Sequence, residues 1–165
     1  MDFAPVTTRG GIEKLAGIAS AIWHEYWPSL IGSAQTDYMV NRFQSDEALA
    51  RDIHEKGYLY FLLVDEGEVV GYTGAHPEEE NEKLFISKIY LYAACRGRGY
   101  ASKVLRFYET YCKENGLGAL YLTVNKDNDL AIKAYLAKGF VTIDAVETDI
   151  GDGFIMDDYI MEKVL

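Results

Sequence analysis

Chemistry-bearing residues concentrate in one short run, Arg96-Gly97-Arg98-Gly99-Tyr100-Ala101-Ser102. Ahead of it stands LFISKIYLYAAC, rich in β-branched and aromatic residues, which reads as a buried strand. Behind it, Val104, Leu105, Tyr108 and Cys112 mark one face of a helix that stops at Asn115-Gly116. A strand that enters a glycine turn and leaves as a helix aims unpaired N–H groups and the positive dipole end at one point. Two guanidiniums join them there, so the run reads as a site for a phosphate-bearing ligand. Two other phosphate loops do not fit. GxxxxGK followed by Ser or Thr is absent, and the third glycine of GxGxxG is replaced by Ser102.

What the run does match is R-x-x-G-x-A, at Arg96, Gly99 and Ala101. It resembles the pyrophosphate loop of the GNAT superfamily of acyl-CoA-dependent N-acetyltransferases. A second segment, Asn125–Phe140, is similar to the other signature of that family: Asn128 opening a helix, then Ala131, Tyr135, Gly139 and Phe140. The two motifs stand in family order with one strand between them, which is far more specific than either alone.

The resemblance implies a division of labour. The backbone of Ile89, Tyr90 and Leu91 would pair with the pantetheine arm of acetyl-CoA, and the Leu91 N–H would polarise the thioester carbonyl. Gly97, Gly99 and Ala101 would offer N–H groups to the pyrophosphate, with Arg96, Arg98, Tyr100 and Ser102 completing the loop. Asn125 and Asn128 would border the pantetheine. Tyr135 matches the family's general acid toward the departing thiolate; it also shares an apolar helix face that would suit packing. A phenol of pKa about 10 can protonate a thiolate whose conjugate acid lies near 8.5. No motif fixes the base. Ser87 and Lys88 hold the strand positions where a carboxylate would serve, and His24, Glu25 and His76 remain as candidates for the acceptor side. Cys95 reads as a packed thiol.

The elements that must position these residues follow from periodicity. Phe3–Thr8 reads as an edge strand and Gly10-Gly11 as a turn. Ile12, Leu15, Ala16, Ile18, Ala19, Ile22, Trp23 and Tyr26 form a helical stripe that ends near Pro28. A loop over 29–33, a helix over 36–43 and a helix capped by Ser45 come next. Tyr58–Val64 and Val69–Ala75 form a hairpin, with His76-Pro77 ending the second strand. Glu78-Glu79-Glu80-Asn81-Glu82 is an acidic, solvated loop. After the organising strand and helix come a strand over 118–124 and a helix with Ala131, Ala134, Tyr135 and Ala137 on one face. Strands over 140–147 and 154–164 close the chain. The order resembles the family's α/β (α+β, three-layer) fold. That fold is a mixed, mostly antiparallel seven-stranded sheet with a central splayed strand pair and helices on both faces, here one domain over 1–165.

Composition narrows the partners. The chain has 165 residues, 16 Lys and Arg against 26 Asp and Glu, and a net charge of −10. That balance disfavours nucleic acid, which requires clustered cations. No eighteen-residue apolar run suggests a membrane span, and MDFAPVTTRGG does not read as a secretory signal. Two Cys, Cys95 and Cys112, suit a reducing, cytoplasmic setting, and no Cys/His cluster suggests a metal. The tail GDGFIMDDYIMEKVL places Asp158 ahead of Ile160, Met161, Lys163 and Leu165. It is similar to the PaiA-like bacterial branch, which acetylates polyamines such as spermidine. The resemblance therefore implies an amine acceptor, and the resemblance to that branch implies a polyamine. The other readings kept open are a protein N-terminus or another small amine as acceptor, and a non-catalytic acyl-CoA sensor. The last strand pair leaves a homodimer open.

Overall fold

A computed structural model describes all residues, Met1–Leu165. Seven strands are hydrogen-bonded in the order β1-β2-β3-β4-β5-β7-β6. They are β1 (Asp2–Pro5), β2 (Leu59–Asp65), β3 (Glu68–Glu78), β4 (Lys83–Leu91), β5 (Ala119–Asn125), β6 (Val141–Gly151) and β7 (Phe154–Val164). The helices are α1 (Arg9–Tyr26), α2 (Pro28–Ile31), α3 (Ser33–Phe43), α4 (Asp46–His54), α5 (Tyr100–Asn115) and α6 (Asp129–Ala137). The β4–β5 ladder is parallel, and β1–β2, β2–β3, β5–β7 and β6–β7 are antiparallel. The mixed GNAT-like sheet expected from the motif order is therefore present. The parallel ladder holds four pairs, Lys83–Ala119 to Ile86–Leu122, and ends there.

The chain condenses into two compact units, residues 1–76 with 88–104, and residues 77–87 with 105–165. In the first, α1 packs against α2, α3 and α4. Its stripe is the expected one: Ile12, Leu15, Ala16, Ile18, Ala19, Ile22 and Trp23 are buried, while Tyr26 is half-buried. Gly10 and Gly11 belong to this helix rather than to a turn. Thr8 ends the extended segment by capping α1, its hydroxyl accepting the Gly11 N–H at 3.1 Å. Accordingly β1 stops at Pro5. The segment expected as a loop over 29–33 is helical too, except at Gly32, whose φ of 85° separates α2 from α3. Pro28 blocks continuation of α1 but suits the first position of the next helix, so the chain restarts as α2. Strand β3 runs past His76-Pro77 to Glu78. At Gly71 the chain meets β4 so closely that a Cβ would lie 2.1 Å from the Tyr90 carbonyl oxygen.

In the second unit the core is made by Leu84, Ile86, Leu105, Tyr108, Cys112, Leu120, Leu122, Val124, Phe140 and Met161. The Cys112 thiol is pushed up to about 11, first by burial and then by Glu109. Strand β4 is less enclosed than its composition suggests: only Leu84 and Ile86 are buried. The acidic segment is a short 3₁₀ turn at Glu79–Asn81. Glu78 is not simply solvated, because it accepts the Tyr121 hydroxyl at 2.5 Å. Helix α6 corrects a further expectation: Ala134 and Ala137 are exposed, and no residue of the helix is fully buried. Strand β6 reaches Gly151, beyond the expected end, and the hairpin turns through Asp152-Gly153 alone. It is the last strand of the sheet, and only Ile150 in it is buried.

Candidate functional site

In the first unit the site is built on the end of β4 and the loop after it. Ile89, Tyr90 and Leu91 are half-buried. Tyr90 is held by a ring cluster, with centroids 5.3 Å from Trp23, 5.7 Å from Tyr72, 5.9 Å from Tyr26 and 6.3 Å from Trp27. Beneath it the Trp23 indole donates to Tyr72 Oη at 2.6 Å, and Tyr72 donates to Gln44 Oε1 at 2.8 Å. These buried bonds fix the ring cluster and, through it, the Tyr90 backbone. Beyond Leu91 the Tyr92 N–H donates to Val70 O at 3.0 Å, and a 3₁₀ turn spans Ala93–Cys95. Cys95 is half-buried.

Arg96 is committed to the loop itself. Its Nη2 donates to Leu91 O at 3.2 Å, its guanidinium lies 5.0 Å from the Tyr26 ring centre, and it stands 3.9 Å from Glu25 Oε1. The same Glu25 oxygen accepts the Ala93 N–H at 2.6 Å. So Glu25, expected on the acceptor side, braces the loop. Gly97 and Gly99 have φ of 77° and 81°, conformations that side chains resist. They release the chain into α5 at Tyr100. The N–H groups of Tyr100, Ala101 and Ser102 open this helix and therefore lack an intrahelical acceptor. Tyr100 turns inward, 6% exposed, and donates to Asp65 Oδ2 at 2.5 Å. That bond pushes the Tyr100 phenol up and the Asp65 carboxyl down. Tyr100 thus anchors the helix start and leaves the anion to the N–H groups.

Other candidates on this unit are spread out. His24 bonds Ser20 O and Asp37 Oδ1, each at 2.7 Å, and these two contacts raise its pKa, the backbone one more. His76 lies against the Tyr58 ring, centroids 4.8 Å apart, with Nε2 at 2.8 Å from Lys56 O. Lys88, which the sequence did not recommend as a base, is half-buried. Its Nζ lies 5.8 Å from the Tyr58 ring and 5.6 Å from the Tyr60 ring. Burial pulls this ammonium down to about 8, against a smaller upward pull from Asp52. Its alternation on an otherwise apolar strand was the available signal. An open groove walled by α1, α3 and the start of α4 includes Glu13, Ser20, Gln44 and Asp46 and none of the expected site residues.

The second unit carries the other motif. Asn125 Oδ1 accepts the Asp127 N–H at 2.9 Å, and Asn128 N donates to Asn125 O at 3.0 Å. Asn128 then caps α6, its Oδ1 accepting the Ala131 N–H at 3.3 Å. Tyr135 is half-buried with its ring 5.5 Å from Phe140, which is 1% exposed. The Tyr135 carbonyl accepts both Lys138 and Phe140 N–H, so the turn at Gly139 locks the tyrosine's backbone. The motif is thus a capped helix with a fixed phenol near its end. No three His, Cys, Asp or Glu side chains group to hold a metal, and no helix is long and apolar enough to cross a membrane.

A mixed sheet with an anion-ready glycine loop and a capped tyrosine helix defines an acyl-CoA-type transferase architecture. The model of the acetyltransferase (GNAT) family matches residues 19–140, and the chain belongs to that family. It is 33% identical over 91 residues to the uncharacterized N-acetyltransferase YycN of Bacillus subtilis (strain 168). That match covers 54% of this chain and spans 58% of the relative's length. Among solved structures, the PaiA N-acetyltransferase from Thermoplasma acidophilum, in complex with coenzyme A, superposes with a TM-score of 0.79. Identity there is 19%, with 100% of both chains covered. A spermidine N-acetyltransferase SpeG chimera from Vibrio cholerae and hSSAT gives a TM-score of 0.72 at 17% identity, covering 99% of this chain and 96% of that one. At these identities the two structures establish the fold.

Proposed function

We propose that the chain acts over 1–165 as one acetyl-CoA-dependent N-acetyltransferase that moves an acetyl group directly to a primary amine. The observation that carries this reading is the loop at Arg96–Ser102. Two positive-φ glycines deliver the chain into a helix whose first N–H groups lack an intrahelical acceptor, and such a terminus suits a pyrophosphate. Gly97, Gly99 and Ala101 would hold it, with Arg98 adding charge. Ile89–Leu91 would line the pantetheine arm, bordered by Asn125 and Asn128. The Leu91 N–H would polarise the thioester carbonyl and stabilise its oxyanion. Tyr135 would give its phenolic proton to the departing thiolate.

The acceptor we infer is a polyamine. The tail residues Asp158, Ile160, Met161, Lys163 and Leu165 support it through their resemblance to the PaiA-like branch, and the net charge of −10 is compatible with a cationic acceptor. The spermidine enzyme among the structural neighbours is compatible with it. The test is thiol release from acetyl-CoA with spermidine, spermine, N-terminal peptides and small amines. Turnover fastest on a polyamine supports the reading. Turnover fastest on a peptide N-terminus replaces the acceptor, and CoA binding without any turnover makes the domain a sensor.

A further inference from the structure

Past Ile86 strand β4 has no ladder with β5. The two peptides that flank Leu91 therefore take their orientation from other neighbours. The Tyr90–Leu91 peptide is seated by the missing side chain of Gly71: a Cβ there would lie 2.1 Å from Tyr90 O and 2.9 Å from Leu91 Cα. The Leu91–Tyr92 peptide is held from both sides. Its N–H donates to Val70 O at 3.0 Å, and its carbonyl accepts from Arg96 Nη2 at 3.2 Å. The first of these bonds is backbone to backbone. The second depends on a long side chain whose many rotamers must be restrained.

Glu25 supplies that restraint. Its Oε1 stands 3.9 Å from Arg96 Nη2, and both side chains are more than a third exposed, so this attraction alone is weak. The stronger contact is to the backbone. The same oxygen accepts the Ala93 N–H at 2.6 Å, a charge-assisted hydrogen bond. Ala93 opens the 3₁₀ turn that leads to Arg96, and the Arg96 N–H donates to Ala93 O at 3.3 Å. One carboxylate thus fixes the base of the turn and faces the guanidinium that reaches back to Leu91 O. The ring of Tyr26, the next residue on α1, adds a third contact, 5.0 Å from that guanidinium. All of these residues belong to the first unit.

We propose that Glu25 is a positioning residue for the peptides around Leu91, and that it acts on the acyl-transfer step more than on cofactor affinity. The inference rests on the acetyltransferase reading above, in which the Leu91 N–H meets the thioester oxygen. Negative charge develops on that oxygen in the transition state. A donor already aimed at it stabilises the charge without reorganisation, whereas a donor free to tilt does not. Glu25 works through Ala93 and Arg96 and is not itself a reacting group. A residue that merely kept the loop folded would change CoA affinity along with kcat.

The test uses Glu25→Gln and Glu25→Ala with two readouts. The first is the infrared carbonyl stretch of bound acetyl-CoA, labelled with carbon-13 at the thioester carbon, which falls in frequency as a donor polarises the bond. In wild type it should lie below that of free acetyl-CoA, and Glu25→Ala should return it toward the free value. Glu25→Gln should keep most of the shift, because an amide oxygen still accepts the Ala93 N–H. The second readout is kinetic. Glu25→Ala should lower kcat about tenfold and Glu25→Gln about threefold, with acetyl-CoA Kd changed less than about threefold. A wild-type stretch and kcat in Glu25→Ala overturn the inference and leave the acetyltransferase reading intact. A loss of CoA affinity that matches the loss of kcat overturns it too, since Glu25 then only folds the loop. No stretch shift in wild type removes the Leu91 role and the inference with it. If wild type binds acetyl-CoA with a shifted stretch yet turns over no amine, the acetyltransferase reading fails instead. The infrared shift then decides for Glu25: its loss in Glu25→Ala supports the positioning role, and its retention overturns it.

Discussion

The two motifs work by different physical means. The loop at Arg96–Ser102 presents backbone: glycine φ values and helix-opening N–H groups do the presenting, while two of its side chains act as braces, Tyr100 buried on Asp65 and Arg96 exposed but bonded to Leu91 O. The segment Asn125–Phe140 presents a side chain: the backbone is closed by the Asn128 cap and the Gly139 turn so that one phenol is held in place. Arg96 pairs with Leu91, Glu25 and Tyr26, so its first task is to shape the loop.

The harshest way to break the backbone side of this contrast is Gly71→Ala. The added Cβ meets the Tyr90 carbonyl at 2.1 Å, and separating β3 from β4 should cost about 3 kcal/mol. Urea unfolding should show it, with CoA affinity falling alongside. On the side-chain region, Tyr135→Phe should lower kcat about 100-fold with CoA Kd and Tm nearly unchanged, because the ring contact with Phe140 survives. An unchanged kcat would assign Tyr135 to packing. Gly99→Ala sharpens the comparison, since φ of 81° opposes a side chain. Calorimetry should read a CoA Kd weaker by about fivefold, from a strain of about 1 kcal/mol. Asn128→Ala should lose about 1 kcal/mol of stability through its cap and shift Tm down by about 2–4 °C.

The smallest effect belongs to Lys88→Met. In the folded chain this ammonium is lowered to about 8, against about 10.4 unfolded. Between those values the unfolded chain binds more protons, so stability rises with pH in that window and the penalty is full below it. Solvent access to the half-buried side chain tempers the penalty. Lys88→Met should therefore raise Tm slightly at neutral pH and flatten its rise between about pH 8 and 10. A slope kept in the variant would assign it to another group.

Local pattern determined much of this molecule. The helical stripe of α1 is buried at the positions its spacing names, and Ser45 and Asn128 cap helices as their types suggest. The Arg-Gly turn opens α5. These features depend on periodicity, caps and φ freedom, which neighbouring residues set. Tertiary structure decided the rest. Whether 29–33 is loop or helix depended on Pro28 starting a new helix. The exposure of Ala134 and Ala137 depended on what α6 is packed against. Glu25 and Arg96 became braces because residues distant in sequence arrived beside them. Burial and pairing are properties of assembled neighbours, and a linear pattern does not carry them.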